Sequence, residues 1–277
     1  MPLIPIPHSK PAINPGDIKR VSRILQSGLI AQGKNVLDFE EKISRYFNVK
    51  GAVATSSGTS ALHLALLALD IGSGDEVIIP SFVCSALLNP IAYVGARPRI
   101  ADVNPDDFNI SVPDIKKKLS RKTKAIIVPH MFGCPAEIRS ILRLGVPVIE
   151  DCAQSIGANY EGKKAGSFGL LSICSFYATK VMTTGEGGMV LSNQRKLLDK
   201  IRDLRVYDHA IDGKVRYNYK MTDFQAGLGL SQLSYLPEFI RRRKEIAGRF
   251  HREFAALGFD IPHVRSHRDH IYFRYVI

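Results

Sequence analysis

The sequence predicts an α/β fold, a mostly parallel sheet flanked by helices. Two observations carry that prediction. Between Gly51 and Ser192, short apolar runs of strand length alternate with helical periodicities. Several of these runs end in polar or small residues, at Ser56–Ser60, at Ser81-Phe82 and at Glu150-Asp151, so chemistry collects along one edge of the sheet. No internal repeat or low-complexity tract interrupts the pattern.

The 277 residues are 45% hydrophobic and 23% charged, enough for one large domain and the start of another. The opening MPLIPIPHSKP has no basic leader or long apolar run, and no stretch approaches the ~18 apolar residues of a membrane span. A cytoplasmic protein is expected. Cys84, Cys134, Cys152 and Cys174 lie far apart without a C-x-x-C pair and read as reduced packing residues, not metal ligands. The net charge of +12 suits either nucleic acid or phosphate-bearing small molecules. The basic runs at 116–118 and 241–244 read as solvated helix faces. No helix-turn-helix or aromatic-basic pattern points to nucleic acid.

Asn14-Pro15-Gly16-Asp17 opens a helix that Ser27-Gly28 ends. A second helix, about 36–47, carries Leu37, Phe39, Ile43, Tyr46 and Phe47, with Glu40, Glu41 and Lys42 as surface residues. The strand at 51–55 runs through SSGTS into a helix at 61–69, in which His63 is a packed residue. Strand 76–80, helix 84–94, strand 97–103, helix 112–119 and strand 124–129 follow. A loop at 130–134 and a helix at 136–144 lead to the strand that ends in Glu150-Asp151. Beyond Gly188 come a strand at 189–192, a helix to about 205 and an irregular polar loop at 206–219. A helix at 221–236 precedes a second one, about 238–257, that Pro237 starts. Residues 270–277 read as a strand whose partners do not follow, so a further C-terminal portion is expected.

The stretch SICSFYATKVMTTGEGG (172–188) concentrates the chemistry. Lys180 follows a buried strand, where desolvation favours its neutral amine. Such an amine attacks carbonyls and forms Schiff bases. If the strand ending at Asp151 lies beside it, Asp151 and Lys180 face each other at one sheet edge. Pyridoxal phosphate needs that pair: the lysine holds its aldehyde, and the carboxylate keeps its ring nitrogen protonated. The loop SSGTS before a helix offers unpaired N–H groups to an anion, and Ser57 and Thr59 add hydroxyls. The same letters also make a good N-cap.

Five ordered motifs, SSGTSAL (56–62), PSF (80–82), EDCAQS (150–155), SFYATK with TTGEGG (175–188) and YNYKMTDFQAGLGLSQL (217–233), resemble the DegT/DnrJ/EryC1/StrS sugar aminotransferase family of fold-type I pyridoxal-phosphate enzymes. The resemblance runs from near Ser9 to Ile277. It implies a large pyridoxal 5′-phosphate domain over residues 1–240, and over 241–277 a linking helix with the beginning of a small C-terminal domain. It implies that Lys180 carries the cofactor and later moves the proton, and that Asp151 pairs with the pyridinium nitrogen. Gln154 is implied beside the ring hydroxyl, Phe82 stacked on the ring, and Gly58, Thr59 and Ser175 at the phosphate. Asn218 matches an asparagine that reaches the phosphate from the neighbouring subunit, implying a homodimer with shared sites, and His130 matches the sugar side of the pocket. Relatives often carry an Asn-His-Gly loop where this chain reads Val206-Tyr207-Asp208-His209-Ala210, and most continue well past 277. The implied reaction moves an amino group from an amino acid, glutamate, to a keto sugar on a nucleotide diphosphate. Lys180 stands where dehydratase relatives carry histidine, which favours the aminotransferase. The alternatives are a non-catalytic regulatory or binding protein on the same fold, or an inactive shortened copy.

Overall fold

Apolar residues at successive positions of the inner strands leave those strands no wet face, so helices must cover both sides of the sheet. The computed structural model describes residue 7, residues 9–208 and residues 211–277. In chain order the helices and strands are α1 (Pro15–Ser27), α2 (Lys34–Phe47), β1 (Gly51–Thr55), α3 (Gly58–Ala68), β2 (Glu76–Pro80), α4 (Leu88–Tyr93), β3 (Arg97–Ala101), α5 (Val112–Lys118) and β4 (Thr123–Pro129). They continue with α6 (Ile138–Leu142), β5 (Val148–Asp151), β6 (Asn159–Tyr160), β7 (Lys163–Lys164), β8 (Leu171–Ser175), β9 (Gly188–Ser192), α7 (Arg195–Arg205), α8 (Asp223–Ala256) and β10 (Arg268–Asp269).

The seven-stranded sheet has the order β1-β9-β8-β5-β4-β2-β3, and β9 alone runs against the other six strands. Alternation along each strand sorts its residues. Val77 and Ile79 of β2, Ile127 of β4, Ile149 of β5 and Val190 of β9 pack on the side of α3, α4 and α7. On the other side, Ile78, Ile126 and Val148 meet Ile115 and Ile138 of α5 and α6. Met189 and Leu191 there meet Phe39, Phe47 and Leu230 of α2 and α8. Each such fully buried side chain stabilises the fold by about 1.5–3 kcal/mol. The expected mostly parallel sheet between helical layers is thus present, and Asp151 pairs in register with Ile173 of β8, the strand that leads to Lys180.

Four local expectations are corrected. Glu40 is buried, not a surface residue: its Oε1 accepts from Ala54 N at 2.8 Å and from Arg205 Nη1 at 2.7 Å. The same Arg205 nitrogen donates to Ala54 O at 2.7 Å, so an ion pair occupies the hydrogen-bonding positions of a missing neighbour strand along β1. Helix α8 runs without a break through Pro237. Proline removes one helical N–H, but Leu236, Phe239 and Ile240 hold both flanks on the core. Residues 270–277 are not a strand. Instead, Arg268 and Asp269 pair with β6 in a small sheet β10-β6-β7, and Ile271 N and Arg274 N donate to the carbonyls of Gly133 and Phe132. Arg243, in one of the basic runs, is half-buried with its Nη1 on the Phe273 carbonyl at 3.0 Å. The sequence departure at 206–210 lies partly outside the described residues. No helix among the described residues is long and apolar enough to cross a membrane.

Candidate active site

The carboxyl ends of β1, β5 and β8 and the start of β9 come together around one cleft of about 240 Å³. Side-chain alternation decides which carboxylate of β5 enters it. Asp151 lies two residues past Ile149 and shares its face, and it lines the cleft with Lys180. Burial pushes the Asp151 carboxyl up, against the pull of the Ala153 N–H, 2.9 Å from Oδ1, and of the Lys180 charge. Burial also pushes the Lys180 amine down; Arg274 adds to this, while Asp151 and Cys84 oppose it. The lysine therefore has the weakened basicity that a nucleophilic amine needs.

Glu150 turns to the opposite face and is wholly buried. Its Oε1 accepts from Phe168 N and Gly169 N at 2.8 and 2.6 Å, and its Oε2 from Gly166 N at 2.8 Å and His130 Nε2 at 2.9 Å. Burial alone raises a carboxyl pKa, but the His130 hydrogen bond and these N–H groups outweigh it and hold Glu150 below the usual range. Ala136 N–H donates to His130 Nδ1 at 3.0 Å, so the ring proton sits on Nε2. His130 is thus fully buried and is not among the residues lining the cleft. The expectation that it lines the sugar side is corrected: its two nitrogens are consumed by Glu150 and the 136 backbone.

The loop that carries Lys180 is pinned from two sides. Within it, Lys180 N donates to Tyr177 O at 2.9 Å, and Thr183 Oγ1 and Thr184 N both donate to Phe176 O. From α8, Gln225 Nε2 donates to Glu186 O at 3.0 Å, and Gln232 Oε1 accepts from Thr183 N at 3.4 Å.

At the start of α3, Ser57 Oγ accepts from Ser60 N at 3.0 Å and Ser60 Oγ accepts from Ser57 N at 2.9 Å. The Ser57 hydroxyl is thereby engaged as a cap, and Ser57, Gly58 and Thr59 all line the cleft at the positive end of the helix. A Cβ on Gly58 would lie 2.8 Å from the Ser175 Cβ, and one on Gly188 would run into the Ser57 carbonyl. Only glycine lets the ends of β1, β8 and β9 close this tightly.

Of the residues singled out by sequence, Gly58, Thr59, Asp151, Gln154, Ser175 and Lys180 line one cleft. Gln154 also anchors the loop after β4, its Oε1 accepting from Phe132 N at 2.9 Å. Phe82 does not line it; its ring packs on Phe108 and Phe132 at 5.5 and 6.2 Å. Asn218 is exposed and also outside the cleft wall. Sequence reading missed Cys84, Tyr177 and Glu186, which line the cleft. Cys84 is exposed and not a packing residue. Its place two residues past Phe82, on a strand-end loop, was the available signal. Phe273, whose ring centroid lies 5.5 Å from Lys180 Nζ, had none.

The model of the DegT/DnrJ/EryC1/StrS aminotransferase family matches residues 11–277. The chain belongs to this family. A GDP-perosamine synthase of Escherichia coli O157:H7 is 40% identical over 252 residues, covering 87% of this chain and 69% of that protein. A GDP-perosamine synthase of Vibrio cholerae is 38% identical over 267 residues, with coverages of 92% and 72%. Among solved structures, an aminotransferase from Psychrobacter cryohalolentis superposes with a TM-score of 0.89 at 33% identity, covering 95% of this chain and 75% of its own. The sugar aminotransferase Spr1654 from Streptococcus pneumoniae, in its PMP form, gives 0.92 at 28% identity, with coverages of 98% and 77%. The family's members are pyridoxal 5′-phosphate enzymes, and this chain is an aminotransferase with that cofactor.

The residues present fit the cofactor. An amine with weakened basicity, a carboxylate fixed by a backbone N–H, and a helix start cradled by Gly58 supply the donors that an aldehyde, a ring nitrogen and a phosphate require.

Proposed function

We propose that this aminotransferase moves an amino group from glutamate to a keto sugar carried on a nucleoside diphosphate, as a cytoplasmic homodimer with shared active sites. The observation that carries the reading is the convergence of Lys180, Asp151 and the Gly58–Thr59 helix start in one cleft. The kinship with GDP-perosamine synthases supports a nucleotide-linked sugar as acceptor.

In this reading, residues 1–240 form the cofactor-binding part. Residues 241–277 form the linking helix and the beginning of a smaller domain, with α8 spanning the boundary. Pyridoxal 5′-phosphate supplies an aldehyde for amine exchange and a ring that draws electrons from the substrate carbon. Lys180 Nζ, which lines the cleft, would hold that aldehyde, and its amine would take and return the proton at the substrate carbon. The Asp151 carboxylate keeps a proton on the ring nitrogen. Gly58, Thr59 and Ser175 hold the phosphate through backbone N–H groups and a hydroxyl, and Gln154 meets the ring hydroxyl. Asn218, exposed beyond its own cleft, reaches the phosphate of the partner's site.

The deciding assay supplies glutamate and a panel of nucleotide-linked keto sugars to the cofactor-loaded protein and follows 2-oxoglutarate and aminated sugar together. Aminated product is expected with at least one sugar. Turnover with amino acids and simple keto acids, but with no sugar on the panel, would remove the nucleotide-sugar reading.

A further inference from the structure

Past its first turn, α3 is apolar apart from one imidazole, that of His63. His63 is buried, and three tyrosine rings meet it edge-on: Tyr93 of α4 at 5.4 Å, Tyr217 at 4.9 Å and Tyr219 at 5.9 Å between centroids. Its Nδ1 lies 3.2 Å from the Tyr219 hydroxyl, and its Nε2 is buried with no hydrogen-bond partner among the described residues. Burial pushes the imidazole pKa down, so the ring is neutral at pH 7. An unpaired ring nitrogen inside an apolar helix costs stability that a leucine or phenylalanine would not. Packing alone does not require a histidine here. What a hydrocarbon could not supply is the hydrogen bond to Tyr219.

Tyr219 belongs to a segment with three backbone anchors. Tyr217 N donates to Leu204 O at 2.9 Å and Tyr219 N to Arg205 O at 3.1 Å, which lays residues 217–219 against the end of α7. Tyr219 O accepts from Ser56 N at 2.8 Å, which ties the segment to the loop that leads into Gly58 and Thr59. The rings of Tyr217 and Tyr219 stack at 5.1 Å and 12° from parallel, both against His63. With tyrosines two positions apart on one side, Asn218 between them is turned away, and it is exposed. The backbone bonds fix where the segment lies. The His63 contact fixes its roll about the chain axis, and with the roll the direction of Asn218.

We propose that His63 is a positioning residue of the shared site: it holds the Tyr217–Tyr219 stack so that Asn218 is aimed at the cofactor phosphate in the partner subunit. His63 does not line the cleft, so its influence passes through the residues it holds. A hydrogen bond weakens steeply as its angle departs from linear, so a loosened stack loses the phosphate contact without unfolding the segment. The proposal rests on the reading of Asn218 as a residue of the partner's site, and it adds the group that aims it.

The test measures dissociation constants of pyridoxal 5′-phosphate and of pyridoxal, which lacks the phosphate, from the visible absorbance at Lys180. His63→Phe keeps a ring in place, and Tyr219→Phe removes only the hydroxyl. Each is expected to weaken pyridoxal 5′-phosphate about fivefold or more and to leave pyridoxal within about twofold of wild type. The unfolding midpoint of the cofactor-free protein should stay near that of the wild type. Asn218→Ala should behave alike. Mixed dimers with His63→Phe in one subunit and Lys180→Ala in the other then give the direction. Only the pocket of the His63→Phe subunit can attach the aldehyde there, and its Asn218 comes from a subunit with an intact His63. Its affinity is therefore expected to return to within about twofold of wild type. Affinity that stays weak in the mixed dimer overturns the proposal, because His63 then acts on its own helix start. Equal losses for both aldehydes overturn it too. If His63→Phe is unstable, Tyr219→Phe replaces it in both experiments. Wild-type affinity in Asn218→Ala sinks the partner-phosphate reading and the proposal with it. A weakened Asn218→Ala beside unaffected His63→Phe and Tyr219→Phe sinks the proposal alone.

Discussion

His130 donates from Nε2 to Glu150 Oε2 across 2.9 Å with both side chains wholly out of water. This pair braces the loops on either side of β5, directly behind Asp151. Glu150→Gln or His130→Ala should destabilise the protein by about 3–5 kcal/mol, since each leaves a buried partner unpaired. The folded-state pKa of Glu150 lies below its unfolded value, so its stabilisation is present above about pH 4.3 and is lost as the pH falls through the folded value. Denaturant unfolding of Glu150→Gln against wild type at pH 7 and pH 4 checks both points. Equal stabilities at pH 7 would show that the brace is idle.

Lys180 should react with amine reagents at a lower pH than the surface lysines, because burial depresses its pKa. Asp151 raises that pKa, so Asp151→Asn should shift the reactivity profile further down. With pyridoxal phosphate added, the protein should turn yellow, and borohydride should fix the cofactor on Lys180. Recovery of the label on another lysine by peptide mapping would refute the assignment. Lys180→Ala should retain the cofactor through its phosphate without covalent attachment.

Asp151→Asn should slow the half-reaction with glutamate at least 100-fold, about 2.7 kcal/mol or more of barrier, while the unfolding midpoint moves by only a few degrees. A neutral amide keeps the shape of the carboxyl but cannot hold the ring proton. A near-normal single-turnover rate would mean that another group does so.

Much of this site is legible in the sequence, because its chemistry sits at the ends of apolar strands. Apolar runs place β5 and β8 in the sheet interior, and period-two alternation from Ile149 selects Asp151 over Glu150 for the cleft. What escapes is long-range satisfaction of polar groups. Glu40 reads as solvated because its partner Arg205 is 165 positions away. The two nitrogens of His130 are claimed by groups that only the folded chain brings near. Pro237 reads as a helix start because a missing N–H is visible in sequence, while the packing on both sides of it is not. The aromatic cluster that removes Phe82 from the cleft wall joins three separate loops.

Asp223, inside the motif KMTDFQAG, caps a helix distant in sequence. Its Oδ1 accepts from Gly33 N and Val36 N at 2.9 and 3.0 Å, and its Oδ2 from Asn35 N at 3.2 Å. Asp223→Ala should cost about 3 kcal/mol, more than an ordinary surface cap, because three N–H groups at the start of α2, that of Val36 buried, lose their acceptor together. Urea unfolding measures this. A loss below ~0.5 kcal/mol would show that water replaces the carboxylate.

Asn218 has no side-chain partner among the described residues, as a residue that serves a neighbouring site requires. Co-expressing Lys180→Ala with Asn218→Ala should then recover about a quarter of wild-type activity when subunits mix at random, because one pocket of each mixed dimer carries neither change. Proven mixed dimers with no recovery would put Asn218 outside the partner's site.

The Glu40–Arg205 pair along β1 has a consequence for life in a crowded solution. A sheet flank with bare amides and carbonyls is a seam onto which any extended chain can zip. Here the side chains at Ala54 close that seam with charges that an incoming strand would have to displace from a nearly dry site. Loss of either charge leaves the other stranded and the flank adhesive. Such damage would appear first as turbidity and loss of soluble yield on concentration, while the fraction that stays soluble keeps its cleft intact.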